Sequence, residues 1–489
     1  MNLNEPRHNH GHAFQFFNAR QREGLVFAGR RGMLKAGLAG MAGLTLPNLL
    51  RARADAADGH GPDGNRGAKN GKSVILLWMA GGPSHIDTWD VKPERPYENR
   101  GPFSVIPTRL PGVNICEHLP KQAALLDRFT LIRSVDARSS NHEPNQVFQT
   151  GNLDAAPRVS RNGDKYPAIA SVIAKMRGPN HPAMPPYVAF MKARSHLAWG
   201  GWLGKEYDPF IANAGARLPV YTDVGVDTGR RRGGNLFGLP NGIDADRIHR
   251  RRDLLRSFDR MRADLDAGGS MEALDSYQQQ AADLLLGRRA QHALDLSREP
   301  EKVRERYGKH LWCQQALLAR RLVQAGVAFV TLDLSYHGAS GTWDTHGDNI
   351  PPYGGIKRGL QPLLPLFDHL LTTLVLDLEE QGLINDVLVI AMGEFGRTPQ
   401  MGTQGSTDGR NHWPVCMSMV MAGGGFRHGQ VIGSTEGDGG QIKDRPVTPG
   451  DLAATIYHYM GVPTNATYLD PRGRPRYIVE SGAPLAELV

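Results

Sequence analysis

The chain has 489 residues, of which 40% are hydrophobic and 22% charged, with 58 glycines, 33 prolines and 3 cysteines. This composition excludes a collagen-like fibre, a disulfide-stapled mini-protein and a disordered tail, and the length suits two domains or one large α/β domain with insertions. The net charge is +8, but residues 1–56 hold eight basic and three acidic side chains, so the remainder carries only +3. We therefore expect no nucleic-acid partner.

An export signal is predicted at the amino terminus. Arg30 and Arg31 stand directly before an apolar run over residues 36–50, and small residues follow at the spacing that a signal peptidase reads. The run is too short for a comfortable membrane span. We predict a twin-arginine signal peptide over 1–56 and a flexible linker over 57–72, with an ordinary amphipathic helix as the alternative. The mature protein is then periplasmic or extracellular, has no stable membrane span, and has the twin-arginine export machinery as a partner.

The mature chain alternates between apolar strand-like runs and segments of helical periodicity. The predicted strands cover residues 73–79, 327–332, 386–392 and 415–421, and the predicted helices cover residues 302–326 and 360–382. This alternation predicts a doubly wound, mostly parallel α/β sheet with helices on both faces. We expect one domain over 73–489, with a charged helical insertion at about 244–299.

Polar clusters follow the predicted strands. They cover residues 81–90, 333–349, 393–399 and 409–414. In open α/β sheets, ligands bind at the carboxyl ends of the strands, where these loops gather. Carboxylates and imidazoles converging there supply the oxygen and nitrogen ligands that divalent metals take. The pattern predicts a metal or catalytic site at this edge.

Motifs along nearly the whole mature chain carry a family resemblance. They are Gly81–Ser84 with Asp87 and Asp90, Arg133–Ser134, Asn141–His142, Thr150–Gly151, residues 393–399, and residues 449–451 leading into 454–455. The chain resembles the alkaline phosphatase superfamily, and more closely its sulfatase-like branch of exported bacterial proteins known as domain of unknown function 1501. The resemblance implies an alkaline phosphatase-like fold and metal-assisted hydrolysis of sulfate or phosphate esters.

The resemblance also implies site residues. Asp344, His346 and His412 would bind one divalent ion, and Glu394, with Asp87 reaching back, would serve a second. The expected cofactor is thus one or two ions of zinc, calcium or manganese. Arg397 would hold an oxygen of the transferring group.

The chain departs from the superfamily pattern at several positions. Phe395 stands where a histidine usually follows the carboxylate, and Gly81–Gly82 stands where the first strand normally ends in an aspartate ligand. No Cys/Ser-x-Pro-x-Arg motif supplies a formylglycine precursor. The nucleophile stays open among Ser84, Ser140 and a metal-activated water, and His142 is a candidate ligand or acid/base group.

Two functions therefore stay open. The first is an exported metal-dependent hydrolase of sulfate or phosphate esters, with an anionic ester such as a sulfated extracellular polysaccharide as its substrate. The second is a non-catalytic cell-envelope binding protein on the same fold, which the missing nucleophile favours. A metal-dependent isomerase or phosphomutase is a weaker third hypothesis.

Overall fold

The computed structural model of the protein describes residues 71–138, 146–155, 162–222, 224–234, 288–336, 341–349, 353–402 and 405–489. The predicted signal peptide and most of the predicted linker and helical insertion lie outside the described residues, so those assignments stay predictions. The first strand begins at Ser73, directly after the predicted linker.

The strands of the described residues are short to medium in length. In chain order they are β1 (Ser73–Trp78), β2 (Val105–Pro107), β3 (Asn114–Cys116), β4 (Phe129–Val135), β5 (Tyr187–Phe190), β6 (Phe210–Ile211), β7 (Leu218–Tyr221), β8 (Asp227–Arg232), β9 (Phe329–Asp333), β10 (Val387–Met392), β11 (Gly396–Arg397), β12 (His412–Trp413), β13 (Met417–Gly423), β14 (Gln430–Ile432), β15 (Ser434–Thr435), β16 (Ile442–Asp444), β17 (Thr467–Leu469) and β18 (Pro475–Tyr477).

The helices range from single turns to five turns. In chain order the α-helices are α1 (Tyr97–Arg100), α2 (Pro120–Ala124), α3 (Gln146–Thr150), α4 (Ile169–Met176), α5 (Arg288–Leu294), α6 (Glu301–Tyr307), α7 (Leu311–Ala325), α8 (Gly355–Leu360), α9 (Leu363–Glu380) and α10 (Pro449–Met460). Single 3-10 turns cover Leu126–Arg128, Leu153–Ala155, Gly163–Lys165, Arg194–His196, Gly201–Leu203, Lys205–Tyr207 and Leu296–Arg298.

Eight strands form the main sheet, in the order β14-β4-β13-β10-β1-β9-β5-β6. The central strand β1 is parallel to β9 and to β10, and β5 is parallel to β9. Strand β13 is antiparallel to both of its neighbours, β10 and β4. The carboxyl ends of β1, β9 and β10 therefore meet at one edge, where β13 begins. This antiparallel strand brings the segment before Met417 to the edge where the loops with the predicted site residues lie.

Apolar side chains project from both faces of the sheet, and helices pack against each face. Along β1, Ile75 and Leu77 belong to a core that includes residues of α7 and α9, whereas Leu76 and Trp78 belong to a second core that includes residues of α4 and α10. Every residue of β1 is buried, as a strand covered on both faces requires. The predicted α/β class, with a mostly parallel sheet between helices, is confirmed.

The helix predicted over 302–326 is instead two helices. Gly308 ends α6 with a φ of +92°, and the side chain of His310 then caps α7 by accepting the N–H of Trp312. The cap forces a new helix start, because an imidazole nitrogen satisfies a donor that a continuous helix would have bonded to its own carbonyl.

One helical stretch of the described residues, Gly355–Glu380, has the length and composition of a membrane span. Of its apolar window, 67% is buried inside the protein. Since the core helix of a soluble protein passes the same test, this is weak evidence for a span.

Candidate metal centre

Three side chains with metal-ligating atoms converge at the carboxyl edge of the sheet. One ligand atom each from Asp344, His346 and His412 lies within 4.8 Å of the others. Asp344 and His346 are buried, and His412 is half-buried. The imidazole Nε2 of His346 is 3.3 Å from Oδ1 of Asp344, and the two histidine rings lie 4.5 Å apart between centroids.

Two loops supply these ligands. Asp344 and His346 lie in the loop after β9, and His412 is the first residue of β12. The loops are joined by backbone hydrogen bonds, because the N–H of Arg410 donates to the carbonyl of Thr345 at 2.9 Å. The ligands therefore meet although about 65 residues of chain separate them.

Arg397 organises this edge from inside the protein. Its guanidinium is fully buried and donates to the carbonyls of Gly81, Gly82 and Arg410 and to Oδ1 of Asp344, the last at 2.7 Å. The side chain predicted to hold a substrate oxygen thus holds the turn after β1 and one of the candidate metal ligands.

Asp87 lies at the same edge but apart from the triad. Its Oδ2 accepts from Nε of Arg410 at 2.8 Å and from the hydroxyl of Ser84 at 2.5 Å, and neither member of the Asp87–Arg410 pair is exposed. The structure does not bring Asp87 together with Asp344, and it places Ser84, the candidate nucleophile, in a local contact with Asp87. Arg410 is further fixed by the carbonyls of Thr398 and Asn99.

Glu394 follows β10 and supports the turn after β1. Its Oε1 accepts the N–H of Gly81 at 2.8 Å, and the residue is buried. Gly82 has a φ of +76°, and a Cβ there would overlap the ring of Phe395. Both the positive φ and the close approach of the Phe395 ring therefore require glycine at position 82. Phe395 itself packs against His412, with ring centroids 4.6 Å apart.

A buried histidine that the sequence did not single out lies beside this region. Nδ1 of His196 is 2.8 Å from Oδ2 of Asp333, and Ser335 donates to Oδ1 of the same carboxylate at 2.6 Å. Burial disfavours the imidazolium form, but the Asp333 charge and hydrogen bond, with a contribution from Glu394, outweigh it and raise the pKa of His196. The one available signal was the apolar run of β5, which ends six residues before His196 at the same edge.

Ser140, a candidate nucleophile, and His142, predicted as a ligand or acid/base group, both lie outside the described residues, so their roles stay predictions. The other predicted residues all lie at the carboxyl edge, but only Asp344, His346 and His412 form a group of ligand atoms there.

The triad fits a divalent metal by the chemistry of its donors. One carboxylate and two imidazoles are the mixed oxygen and nitrogen set that zinc and similar ions take. The carboxylate is held by a buried guanidinium, and the Tyr353 hydroxyl is hydrogen-bonded to it. Such outer contacts orient ligands in metal sites.

The family of the chain follows from a comparison of sequences. A family model described as "Protein of unknown function (DUF1501)" matches residues 71–489, which include the sheet and the candidate metal centre. The chain belongs to this family. No curated protein matches the DUF1501 chain.

Solved structures give more distant similarities. A phosphonate monoester hydrolase from Silicibacter pomeroyi is 13% identical, with 85% of this chain and 78% of that chain covered and a TM-score of 0.36. The PsFucS1 sulfatase from Pseudoalteromonas sp. is 12% identical, covering 85% and 72%, with a TM-score of 0.28. The lipoteichoic acid synthase LtaP from Listeria monocytogenes is 10% identical, covering 86% and 79%, with a TM-score of 0.30. At these scores the similarities say nothing about the activity of the DUF1501 chain.

Proposed function

We propose that the chain is an exported, metal-dependent hydrolase of sulfate or phosphate esters with an alkaline phosphatase-like core. The convergence of Asp344, His346 and His412 at the carboxyl edge of the sheet carries the proposal. Ligand sites of open α/β sheets lie at this edge. The sequence motifs shared with the alkaline phosphatase superfamily support the ester class, and the predicted twin-arginine signal supports export.

The chain's own residues would divide the work at this site. Asp344, His346 and His412 would hold a divalent ion, whose chemistry when bound is Lewis-acid stabilisation of negative charge on ester oxygens. The buried Arg397 guanidinium donates to Oδ1 of Asp344 and holds this carboxylate in place. His196, oriented by Asp333 and with a raised pKa, is suited to hold a proton at this edge.

One observation favours a non-catalytic binding protein as the second candidate. Ser84 is not exposed, and its hydroxyl donates to Asp87. A buried serine whose hydroxyl is bonded to a neighbouring carboxylate is not presented to a substrate, so Ser84 is poorly placed to act as the nucleophile. A binding protein could retain the metal ligands without one.

The test is metal content and ester hydrolysis of the mature chain, purified from its native export route without chelator. We expect bound divalent metal and turnover of an aryl sulfate or aryl phosphate. His412→Ala should lose both while keeping the circular dichroism spectrum, because a third of the ligand set is removed. His458→Ala is the matched control, since His458 is exposed on α10.

The outcomes separate the candidates. Metal bound without turnover of any ester would favour the binding protein, and full turnover in the His412→Ala variant would contradict the site. Export is tested separately by replacing Arg30 and Arg31 with lysine, which should leave the precursor in the cytoplasm if the twin-arginine signal is correct.

A further inference from the structure

A buried cation is already built into the candidate metal centre. The Arg397 guanidinium is surrounded by four oxygen acceptors, namely Oδ1 of Asp344 and the carbonyls of Gly81, Gly82 and Arg410. One carboxylate oxygen and three carbonyl oxygens form the kind of cage in which proteins bind hard divalent cations. In this chain a side chain of the protein occupies that cage.

The residues predicted to serve a second divalent ion are engaged in other contacts, beginning with Glu394, whose Oε1 accepts the N–H of Gly81 at 2.8 Å. Asp87 forms its buried ion pair with Arg410 and accepts from Ser84. Phe395, which follows Glu394, offers no ligand atom and packs its ring against His412. Among the described residues, the triad is the one group of three or more histidine, cysteine, aspartate or glutamate side chains whose ligand atoms lie within 4.8 Å of one another.

We infer that the centre binds a single divalent ion, and that the Arg397 guanidinium is its second, permanent cation. This inference rests on the proposed function for the first ion. A guanidinium that donates to Asp344 places its positive charge directly beside the triad, where it repels a further cation and stabilises negative charge. The chain would thereby keep two positive centres at the edge of the sheet while depending on only one exchangeable ion.

The experiment measures metal stoichiometry by equilibrium dialysis of the full mature chain against rising free Zn²⁺, Mn²⁺ or Ca²⁺, with mass-spectrometric metal analysis. We expect the wild-type chain to saturate at one ion. The Arg397→Ala variant empties the oxygen cage, so we expect it to take a second ion from millimolar Mn²⁺ or Ca²⁺. Arg320→Ala is the matched control, because Arg320 is a buried guanidinium paired with Glu299 and Asp377 on the helical side, and its metal stoichiometry should not change.

The results are distinguishable from those that test the proposed function. Two ions on the wild-type chain would overturn the single-ion inference and leave the hydrolase proposal standing. No ion on the wild-type chain would overturn both. A folded Arg397→Ala variant that still saturates at one ion would show that the guanidinium does not fill a cation position. If Arg397→Ala does not fold, Arg397→Met, which removes the guanidinium but keeps a long side chain, replaces it in the same titration with the same expected and contradicting results.

Discussion

Two buried aspartate–arginine pairs lie at the same edge of the sheet and differ in what surrounds them. In the Asp87–Arg410 pair, Oδ2 of the carboxylate accepts from both the guanidinium and Ser84, Oδ1 accepts a longer bond from the guanidinium, and the guanidinium also donates to backbone carbonyls. In the Asp344–Arg397 pair, the carboxylate also lies beside two imidazoles.

The difference separates a pair that only joins loops from a pair at the candidate metal centre. An ion pair whose charges and hydrogen bonds are satisfied by each other and by the backbone holds loops together. A pair whose carboxylate also lies beside two imidazoles offers the mixed oxygen and nitrogen ligands that a divalent cation takes. Sequence position alone does not distinguish Asp87 from Asp344, since both follow strands that end at this edge.

The largest expected effect comes from removing the negative charge of each pair. Asp344→Asn and Asp87→Asn each leave a buried guanidinium without its carboxylate, so each should lower the free energy of unfolding by about 3–5 kcal/mol. Only Asp344→Asn should also lose the bound ion and turnover. Urea unfolding and metal analysis of both variants measure the two effects.

Each of these two variants serves as the control for the other, because both leave a buried guanidinium without its carboxylate. Equal destabilisation with metal loss confined to Asp344→Asn would support the division into site and structural pair. Loss of the ion from a folded Asp87→Asn variant would instead return Asp87 to the ligand set.

An intermediate effect is expected from pH, which should change the free energy of unfolding through the titration of His85, a histidine near both pairs. His85 donates from Nε2 to the carbonyl of Gly439 and lies with Nδ1 against the N–H of Arg397. Burial lowers the pKa of His85, although the Asp90 carboxylate opposes this. Because the folded state binds the proton less well than the unfolded state, the stability contributed by His85 is present above pH 6.5 and is lost as the pH falls through the folded pKa.

Urea unfolding at several pH values between about 7 and 4 tests this expectation. His85→Gln should flatten the part of the pH dependence that begins below 6.5, the ordinary pKa of histidine. The exposed His458→Gln should leave the curve unchanged. If His85→Gln shifts the whole curve without changing its slope, the imidazole contributes packing and not titration.

The smallest effect is expected from the hydroxyl of Ser84. Ser84→Ala removes one hydrogen bond to a buried carboxylate, so we expect a loss of about 2 kcal/mol in stability with metal content and turnover unchanged. Ser418→Ala is the control, since the buried Ser418 hydroxyl has no hydrogen-bond partner among the described residues. Complete loss of turnover in a stable Ser84→Ala variant would make Ser84 the nucleophile after all.

Much of the architecture was predictable because it depends on local patterns. The strands that begin at Ser73 and Val387 are continuous apolar runs followed by glycine, and burial on both faces demands that pattern. The helix break at Gly308 was missed, because the periodicity on either side continues through it and the cap by His310 is a contact of one side chain.

The sequence allowed the residues of the candidate triad to be predicted, but it did not allow the residues that contact them to be predicted. Strand ends gather at one edge, so polar residues after strands could be assigned there from the sequence, and Asp344, His346 and His412 were. His196 could not be assigned, because a 3-10 turn carries it back toward Asp333 after β5. The antiparallel direction of β13 places the segment that contains His412 at the edge. This direction could not be predicted either, because it depends on which strand β13 pairs with.

The sequence by itself determined the α/β class, the edge at which function is sought and the residue types available for metal binding, because periodicity and composition act over short distances. The tertiary structure alone decided which carboxylate each buried arginine neutralises. Asp87 and Asp344 carry the same charge, and only three-dimensional pairing with Arg410 and Arg397 distinguishes them. Burial makes that pairing obligatory, since an isolated charge inside a protein costs several kcal/mol, and the fold therefore places one of two equivalent carboxylates beside the candidate metal ligands and the other away from them.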